Sequence, residues 1–236
     1  GETVAGGPYA INKGTLAANS NYTLLFTGAS LTITKAPLTV TADDKSMLLN
    51  GTVPALTATL TGFQFNETLA ASGLTGTAAC TASDGKTPGV FDAVCTIGTL
   101  QASNYSFGPF VKGKLTVTYA FAGISCNGDA GHQILQPVNA EGTSVFKQTS
   151  TVPAKFRVCD ANGVSIGAAG TVASFRLVQT VSGTVVSTVD EAVVSTTPDT
   201  AFRWDSSAQQ WIYNINTKSL KASYTYYYDI ALADGT

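Results

Sequence analysis

Four cysteines are the residues of this chain whose spacing most directly predicts covalent chemistry. Cys80 and Cys95 flank the turn-rich stretch of residues 83–89, and Cys126 and Cys159 lie on either side of a segment with strand-like alternation. Each pair falls within one of the domains predicted below, so we predict two disulfide bonds, Cys80–Cys95 and Cys126–Cys159. Four reduced, buried thiols are the alternative. Disulfide bonds persist in oxidising compartments, so they would place the chain outside the cytoplasm.

No catalytic residue is predicted. The single histidine, His132, lies in a glycine-containing loop at residues 127–132, where an exposed position is the simpler interpretation. The nucleophile-elbow and zinc-protease motifs are missing from the sequence. Asp43 and Asp44 are neighbours, as are Asp190 and Glu191, and neighbours on a strand point to opposite faces instead of converging across a cleft. We therefore expect that the protein is not an enzyme.

We also expect no metal site and no cofactor. The cysteine spacings and the lone histidine do not fit a zinc site. Calcium binding is the one possibility that the sequence leaves open. Asp43 and Asp44 follow a predicted strand, and three further aspartates lie in predicted loops: Asp129, Asp160 and Asp199. Calcium takes six to eight oxygen ligands in its sites, and no aspartate-rich loop has the EF-hand spacing. Solvated turn aspartates are the favoured interpretation.

Aromatic residues concentrate near the end of the chain. The candidate ligand-binding residues are Trp204, Trp211, Tyr226 and Tyr228. Exposed tryptophan and tyrosine rings can stack on sugars or anchor a protein partner. The favoured alternative is that the rings fill a β-sandwich core and form cross-strand pairs.

Composition narrows the class of protein. The chain has 236 residues, of which 12% are charged and 44% hydrophobic, and its net charge is −2. No basic patch suggests nucleic-acid binding, and no apolar run is long enough to insert into a membrane. The first twenty residues lack the features of a signal peptide, which we interpret as an internal piece of a longer protein or a processed chain.

The elements that position these residues are predicted to be strands. Period-two alternation runs through seven segments, and Asn-Gly, Asp-Gly and Pro-Gly turns separate them. The clearest segments are residues 31–33, 38–42, 115–119, 152–158, 175–178, 211–215 and 224–232. No segment carries a sustained helical stripe, so we predict an all-β chain.

An internal repeat divides the chain. The motif of residues 14–16, Asn21-Tyr22 and residues 31–34 recurs as residues 98–100, Asn104-Tyr105 and residues 115–118. Residues 1–35 match only the back half of the repeat, residues 36–118 form a complete unit, and residues 119–236 form a third module. A repeat of this length has the size of one small β-sandwich domain, so we predict tandem β-sandwiches, the first one incomplete. The sequence leaves three explanations open: the chain is a fragment, a neighbouring subunit supplies the missing strands, or the half domain packs on the next domain.

Parts of this sequence resemble two known families. Residues 1–118 resemble the MBG family of bacterial immunoglobulin-like repeats, through the motifs at residues 1–11, 14–16, 21–22, 31–33, 36–42, 56–62, 67–68 and 98–105. Residues 119–236 resemble the PxKF module, through Val152-Pro153-Ala154-Lys155-Phe156 and the motifs at residues 135–139 and 234–236. Both resemblances imply β-sandwich building blocks of secreted or cell-surface bacterial proteins, and neither implies catalytic residues. With the MBG resemblance, the predicted fold becomes a tandem of immunoglobulin-like β-sandwiches, the first one incomplete.

These observations together predict a non-enzymatic structural module of an extracellular bacterial surface protein. It would act as a stalk or as a subunit of an extracellular assembly, and strand pairing with a neighbouring chain is one way to assemble. Its expected partners are neighbouring domains or copies of the same protein. The alternative is an adhesin or carbohydrate-binding module that uses the C-terminal aromatic residues to bind a surface glycan or protein.

Overall fold

The structure is a computed structural model that describes residues 2–195 and 200–236. Asp199, one of the aspartates considered for calcium, lies outside the described residues. Apart from one short 3-10 turn, Val4–Gly6, the regular elements described are strands, which confirms the all-β prediction. They are β1 Tyr9–Ile11, β2 Ala29–Leu31, β3 Ala36–Ala42, β4 Lys45–Leu48, β5 Ala58–Thr61, β6 Ala79–Thr81, β7 Gly89–Thr96, β8 Tyr105–Val111, β9 Gly113–Thr118, β10 Ser125–Cys126, β11 Asp129–Ala130, β12 Ile134–Leu135, β13 Thr151–Phe156, β14 Val172–Ser182, β15 Val185–Ala192, β16 Arg203–Asp205, β17 Gln210–Asn216 and β18 Thr225–Leu232.

The strands form several small sheets, as stacked β-sandwiches require. The N-terminal region contains the pair β1-β2, the sheet β5-β3-β8 and the sheet β4-β9-β7-β6. The C-terminal region contains the pair β10-β11, the sheet β12-β13-β17-β16 and the sheet β15-β14-β18. Strands β3 and β8 run parallel, whereas the other strand pairs with a described register are antiparallel.

Every second side chain along these strands is buried, as the alternation in the sequence predicts. In β3, Leu38 and Val40 are fully buried and Ala42 is 3% exposed, while the intervening threonines are half-buried. In β13, Val152, Ala154 and Phe156 are buried in the same alternating way. Side chains two residues apart on a strand share one face, so the sequence pattern specifies which residues enter a core.

The chain divides into two compact units, each assembled from separate stretches. The first comprises Gly1–Lys45, Ala55–Ser83 and Asp92–Leu115, and the second comprises Ser46–Pro54, Asp84–Phe91 and Thr116–Thr236. The predicted domains 1–35, 36–118 and 119–236 are continuous stretches, and their boundaries stay a prediction.

One core cluster of the first unit is mainly aliphatic. Its buried members are Val40, Ala42, Ala93, Cys95 and Leu100. Leu60, Leu74 and Phe107 are among the partly buried side chains packed against them.

The core of the second unit is aromatic. Phe175 of β14 packs edge-on against Phe202 and Tyr213, with ring centroids 4.9 and 5.0 Å away. Phe156 packs edge-on against Phe202 at 5.0 Å. Since β13 and β17 belong to one sheet and β14 to another, these rings join the two sheets of the C-terminal sandwich.

The N-terminal segment has little regular structure. Its pair β1-β2 aligns Tyr9 with Leu31 and Ile11 with Ala29. The predicted strand at residues 31–33 is wrong beyond Leu31, because β2 ends there. That this segment is the back half of a β-sandwich stays a prediction.

Candidate functional site

Trp204 and Trp211 lie opposite each other on neighbouring strands β16 and β17. Their ring centroids are 5.5 Å apart. Trp211 is only 5% exposed, and its indole Nε1–H donates a hydrogen bond of 2.9 Å to the carbonyl oxygen of Ile166. Trp204 is half-buried, and a Cβ atom added at Gly167 would lie 2.2 Å from its ring. Trp211 is therefore a core residue, and Trp204 has one surface closely covered by backbone.

Tyr226 and Tyr228 point to the same side of β18 and are both half-buried. The hydroxyl group of Tyr226 accepts a hydrogen bond of 2.6 Å from the backbone N–H of Lys221. The Tyr228 ring lies 5.5 Å from that of Phe175, and burial raises the pKa of Tyr228 to about 12. Among the three tyrosines of β18, Tyr227 has the largest exposed fraction, 48%.

A cavity of about 490 Å³ lies within the second unit, next to the tryptophan pair. Its walls include Phe175, Phe202, Trp204 and Tyr213, together with small residues such as Gly167 and Ala173. None of the described lining side chains carries a charge or an imidazole. The cavity can accept an apolar or hydroxylated group, but its described walls offer no carboxylate, amine or imidazole for acid–base chemistry.

His132 is half-buried. Its backbone N–H donates a hydrogen bond of 2.9 Å to the carbonyl oxygen of Arg157. Its Nε2 atom is buried and has no hydrogen-bond partner among the described residues. Burial lowers the pKa of His132, and the charge of Asp234 opposes this shift. The predicted exposed position is wrong, because His132 is half-buried and its Nε2 atom is shielded from solvent.

The loop and junction aspartates have protein partners. Asp43 accepts hydrogen bonds from Thr57 and Thr59, and these bonds lower its pKa. Asp129 pairs with the guanidinium group of Arg157. Within residues 2–195 and 200–236, no group of three or more His, Cys, Asp or Glu side chains is placed to hold a metal ion.

Asp160 is the most enclosed of these carboxylates, with 4% exposure. Burial alone would raise its pKa, but hydrogen bonds lower it below 3.8. They come from Asn50 Nδ2 at 2.9 Å and from the backbone N–H groups of Asn162 at 2.9 Å and Val164 at 3.1 Å. Asp160 therefore holds a turn and a distant loop together.

The four cysteines are joined in the same two pairs that the sequence analysis predicts. Cys80 and Cys95 face each other across strands β6 and β7, with Cα atoms 4.0 Å apart. The Cα atoms of Cys126 and Cys159 are 5.5 Å apart, and these residues are 0% and 1% exposed. The second bond lies in a small core cluster with Ala120.

Sequence reasoning could have separated the two tryptophans. Trp211, Tyr213 and Ile215 share one face of β17, while Asn214 lies on the other face. An apolar face opposite a polar one indicates the core side. The ligand-binding role of Trp204, Trp211, Tyr226 and Tyr228 stays a prediction.

Comparisons with known proteins give one match. A family model described as MBG domain (YGX type) matches residues 38–116, which is about a third of the chain. The comparisons with curated proteins and with solved structures gave no match. No helix in the described part of the chain is long and apolar enough to cross a membrane. The match supports the MBG resemblance for residues 38–116, and the PxKF resemblance of residues 119–236 stays a prediction.

Proposed function

We propose that this chain is a non-enzymatic structural module of an extracellular bacterial surface protein, acting as a stalk segment or as a subunit of an extracellular assembly. The observation that carries the proposal is the match of residues 38–116 to the MBG domain, an immunoglobulin-like structural repeat. The PxKF resemblance of residues 119–236 extends the same role to the rest of the chain.

The disulfide bonds support an extracellular location. All four cysteines are paired, which is typical of proteins that mature in an oxidising compartment. The Cys126–Cys159 bond is shielded from solvent on both sides.

The use of the polar and aromatic side chains supports a non-enzymatic role. The carboxylates of Asp43, Asp129 and Asp160 are each engaged by hydrogen bonds or an ion pair within the protein. The aromatic rings of the second unit pack on one another across the sandwich. Groups that are committed to the fold in this way are poorly placed to change partners during a reaction.

Single-molecule stretching of the full chain tests the load-bearing role. The two disulfide bonds enclose sequence separations of 15 and 33 residues. At about 0.35 nm for each extended residue, they should withhold about 5 and about 11 nm of extension until reductant is added. A structural module should unfold in discrete force steps and refold on relaxation. A smooth extension at low force, with no gain on reduction, would contradict the proposal.

The second candidate is a carbohydrate-binding or adhesin module. It is favoured by the cavity of about 490 Å³ beside Trp204, because a tryptophan next to an open space can stack on a sugar. A glycan array with the full chain tests it. Saturable binding that is lost in Trp204→Ala and kept in the matched control Tyr227→Ala would favour this candidate. Trp211→Ala is unsuitable for this purpose because it removes a core residue.

A further inference from the structure

Residues 127–133 of the second unit, which we call the histidine loop, are fixed at both ends. At one end, Cys126 is 0% exposed and is bonded to Cys159. At the other end, strand β12 pairs with β13 and aligns Ile134 with Phe156. A change of conformation in the histidine loop can therefore be confined between these two anchors while the strands around it stay in place.

The histidine loop is held in its conformation by contacts and not by local preference. The backbone N–H of Gly131 donates a hydrogen bond of 2.8 Å to the carbonyl oxygen of Ile124, and that of His132 donates one of 2.9 Å to Arg157. His132 has a φ of 59°, in the left-handed region that residues other than glycine adopt infrequently. Its Nε2 atom is shielded from solvent and has no hydrogen-bond partner among the described residues.

Titratable side chains also lie on the loop itself and on the segments around it: Tyr119, Asp129, Lys155, Arg157 and Asp234. Lys155 and Arg157 are cations, so neither can accept a hydrogen bond from an imidazolium group. Asp129 pairs with the guanidinium group of Arg157. Asp234 accepts hydrogen bonds of 2.8 Å from the backbone N–H of Tyr119 and of 2.7 Å from the hydroxyl group of Thr236. Both carboxylates therefore have partners of their own.

Protonation of His132 changes what its surroundings must supply. A neutral imidazole has one N–H donor and one bare nitrogen, whereas an imidazolium group has two N–H donors and a positive charge. A buried donor without an acceptor and a buried charge both cost free energy that hydration would recover. Burial therefore lowers the pKa of His132, although the charge of Asp234 opposes this shift. The closed loop favours the neutral imidazole, and an open loop with a hydrated ring favours the protonated one.

We propose that the histidine loop is an acid-sensitive latch of the second unit, held closed by the neutral imidazole of His132 and released when that imidazole is protonated. This device goes beyond the structural role proposed above, because it gives the module a reversible response to acid. The pKa of His132 in the folded chain lies below the ordinary value of 6.5, so the stabilisation is complete above pH 6.5 and is lost as the pH falls through the lowered pKa. His132 is the single histidine of the chain, and ordinary carboxylates titrate near pH 4, so the imidazole dominates the response between about pH 5 and 6.5.

The test makes two measurements on the full chain with its disulfide bonds intact. A proton NMR titration follows the ring protons of the single histidine and should give a pKa below 6.5. Hydrogen–deuterium exchange then compares the amides of Gly131 and His132 with those of β13 between pH 7 and pH 4. At pH values below the measured pKa, the protection of the loop amides, corrected for intrinsic exchange rates, should have fallen about tenfold for each pH unit between that pKa and 6.5. The amides of β13 should stay protected, because the release is confined to the loop.

The matched control is His132→Asn, because asparagine does not titrate and also tolerates a positive φ. Its loop amides should keep their protection through the same pH window. Asp234→Asn keeps a side-chain oxygen for the Tyr119 N–H and removes the charge, so it should lower the pKa of His132 further.

A pKa of 6.5 or higher in the native chain would overturn the proposal. The same loss of loop protection in His132→Asn would also overturn it, as would a simultaneous loss in β13, which would indicate unfolding of the whole unit. If circular dichroism shows that His132→Asn does not fold, the titration and the comparison with β13 in the native chain decide. The stretching experiment at pH 7 tests the proposed function independently of these results.

Discussion

Removing the Cys126–Cys159 bond should destabilise the second unit more than any other single covalent change. In the chain-entropy description, the penalty depends on the length of the closed loop. A separation of 33 residues corresponds to about 3.7 kcal/mol at 25 °C, and the separation of 15 residues at Cys80–Cys95 corresponds to about 3 kcal/mol. The double variant Cys126→Ala/Cys159→Ala also loses two buried sulfur atoms, which adds a packing loss to the entropic one.

The assay is urea unfolding followed by tryptophan fluorescence. Both tryptophans, Trp204 and Trp211, lie in the second unit, as does the Cys126–Cys159 bond, so the signal reports the unit that the variant perturbs. With a slope of about 2 kcal/mol per molar urea, the midpoint should fall by about 2 M. Intact mass before and after reduction first establishes that the native chain gains about two hydrogens for each bond.

The matched control is Cys80→Ala/Cys95→Ala. Its loss of stability, followed by circular dichroism because no tryptophan lies in the first unit, should be the smaller of the two. A loss below about 1 kcal/mol for Cys126→Ala/Cys159→Ala would refute the reasoning, since closing a loop of this length cannot stabilise so little in the chain-entropy description. If Cys80→Ala/Cys95→Ala lost more stability than Cys126→Ala/Cys159→Ala, the assumption that the loss depends on the length of the closed loop would be refuted.

Three further predictions concern single side chains of the second unit. Trp211→Ala should cost about 3–5 kcal/mol in urea unfolding because a buried ring is lost, and Trp204→Ala should cost less because that ring is only half-buried. Asp160→Ala should cost about 1–3 kcal/mol at pH 7, since it leaves buried donors such as Asn50 unpaired. The pKa of Asp160 is lowered in the folded state, so its contribution is present above pH 3.8 and is lost as the pH falls further; the difference in denaturant midpoint between the variant and the native chain should therefore shrink as the pH falls below 3.8. The pKa of Tyr228 is raised from 10.0 to about 12, so the stability linked to its neutral form is present below pH 10 and is lost between pH 10 and about 12. Tyr228→Phe should flatten the decline in this window, and an equally steep decline in the variant would contradict the assignment.

Local patterns predicted the strands well because alternation acts directly on burial. Strand β3 needs only the order of Leu38, Val40 and Ala42 between threonines to be recognised as one buried face. The contacts that join distant residues were not predictable in this way. Asp160 binds Asn50 across 110 residues, and Arg157 pairs with Asp129 because their loops meet. Such pairs depend on how the strands are ordered in space, which a local pattern does not specify.

The aromatic residues show the same limit at the candidate site. Alternation groups Trp211 with Tyr213 on the apolar face of β17, but it does not state which residues of the second sheet they contact. Phe175 of β14 packs against Tyr213 from the opposite sheet, and no local pattern specifies this contact. The sequence therefore identifies the rings and the face of β17 that is buried, while their contacts follow from the packing of one sheet on the other.

The two repeat copies show that strand formation in this chain is decided by the neighbouring strand and not by the segment alone. Residues 22–28 and Tyr105–Val111 begin with the same Asn-Tyr motif, yet only the second stretch forms a strand. The second stretch lies beside β3, whose backbone supplies hydrogen-bonding partners and whose side chains cover Tyr105 and Phe107. Strand propensity depends mainly on packing against neighbours, which explains why the tyrosine of the shared motif lies in a strand in one copy and outside a strand in the other.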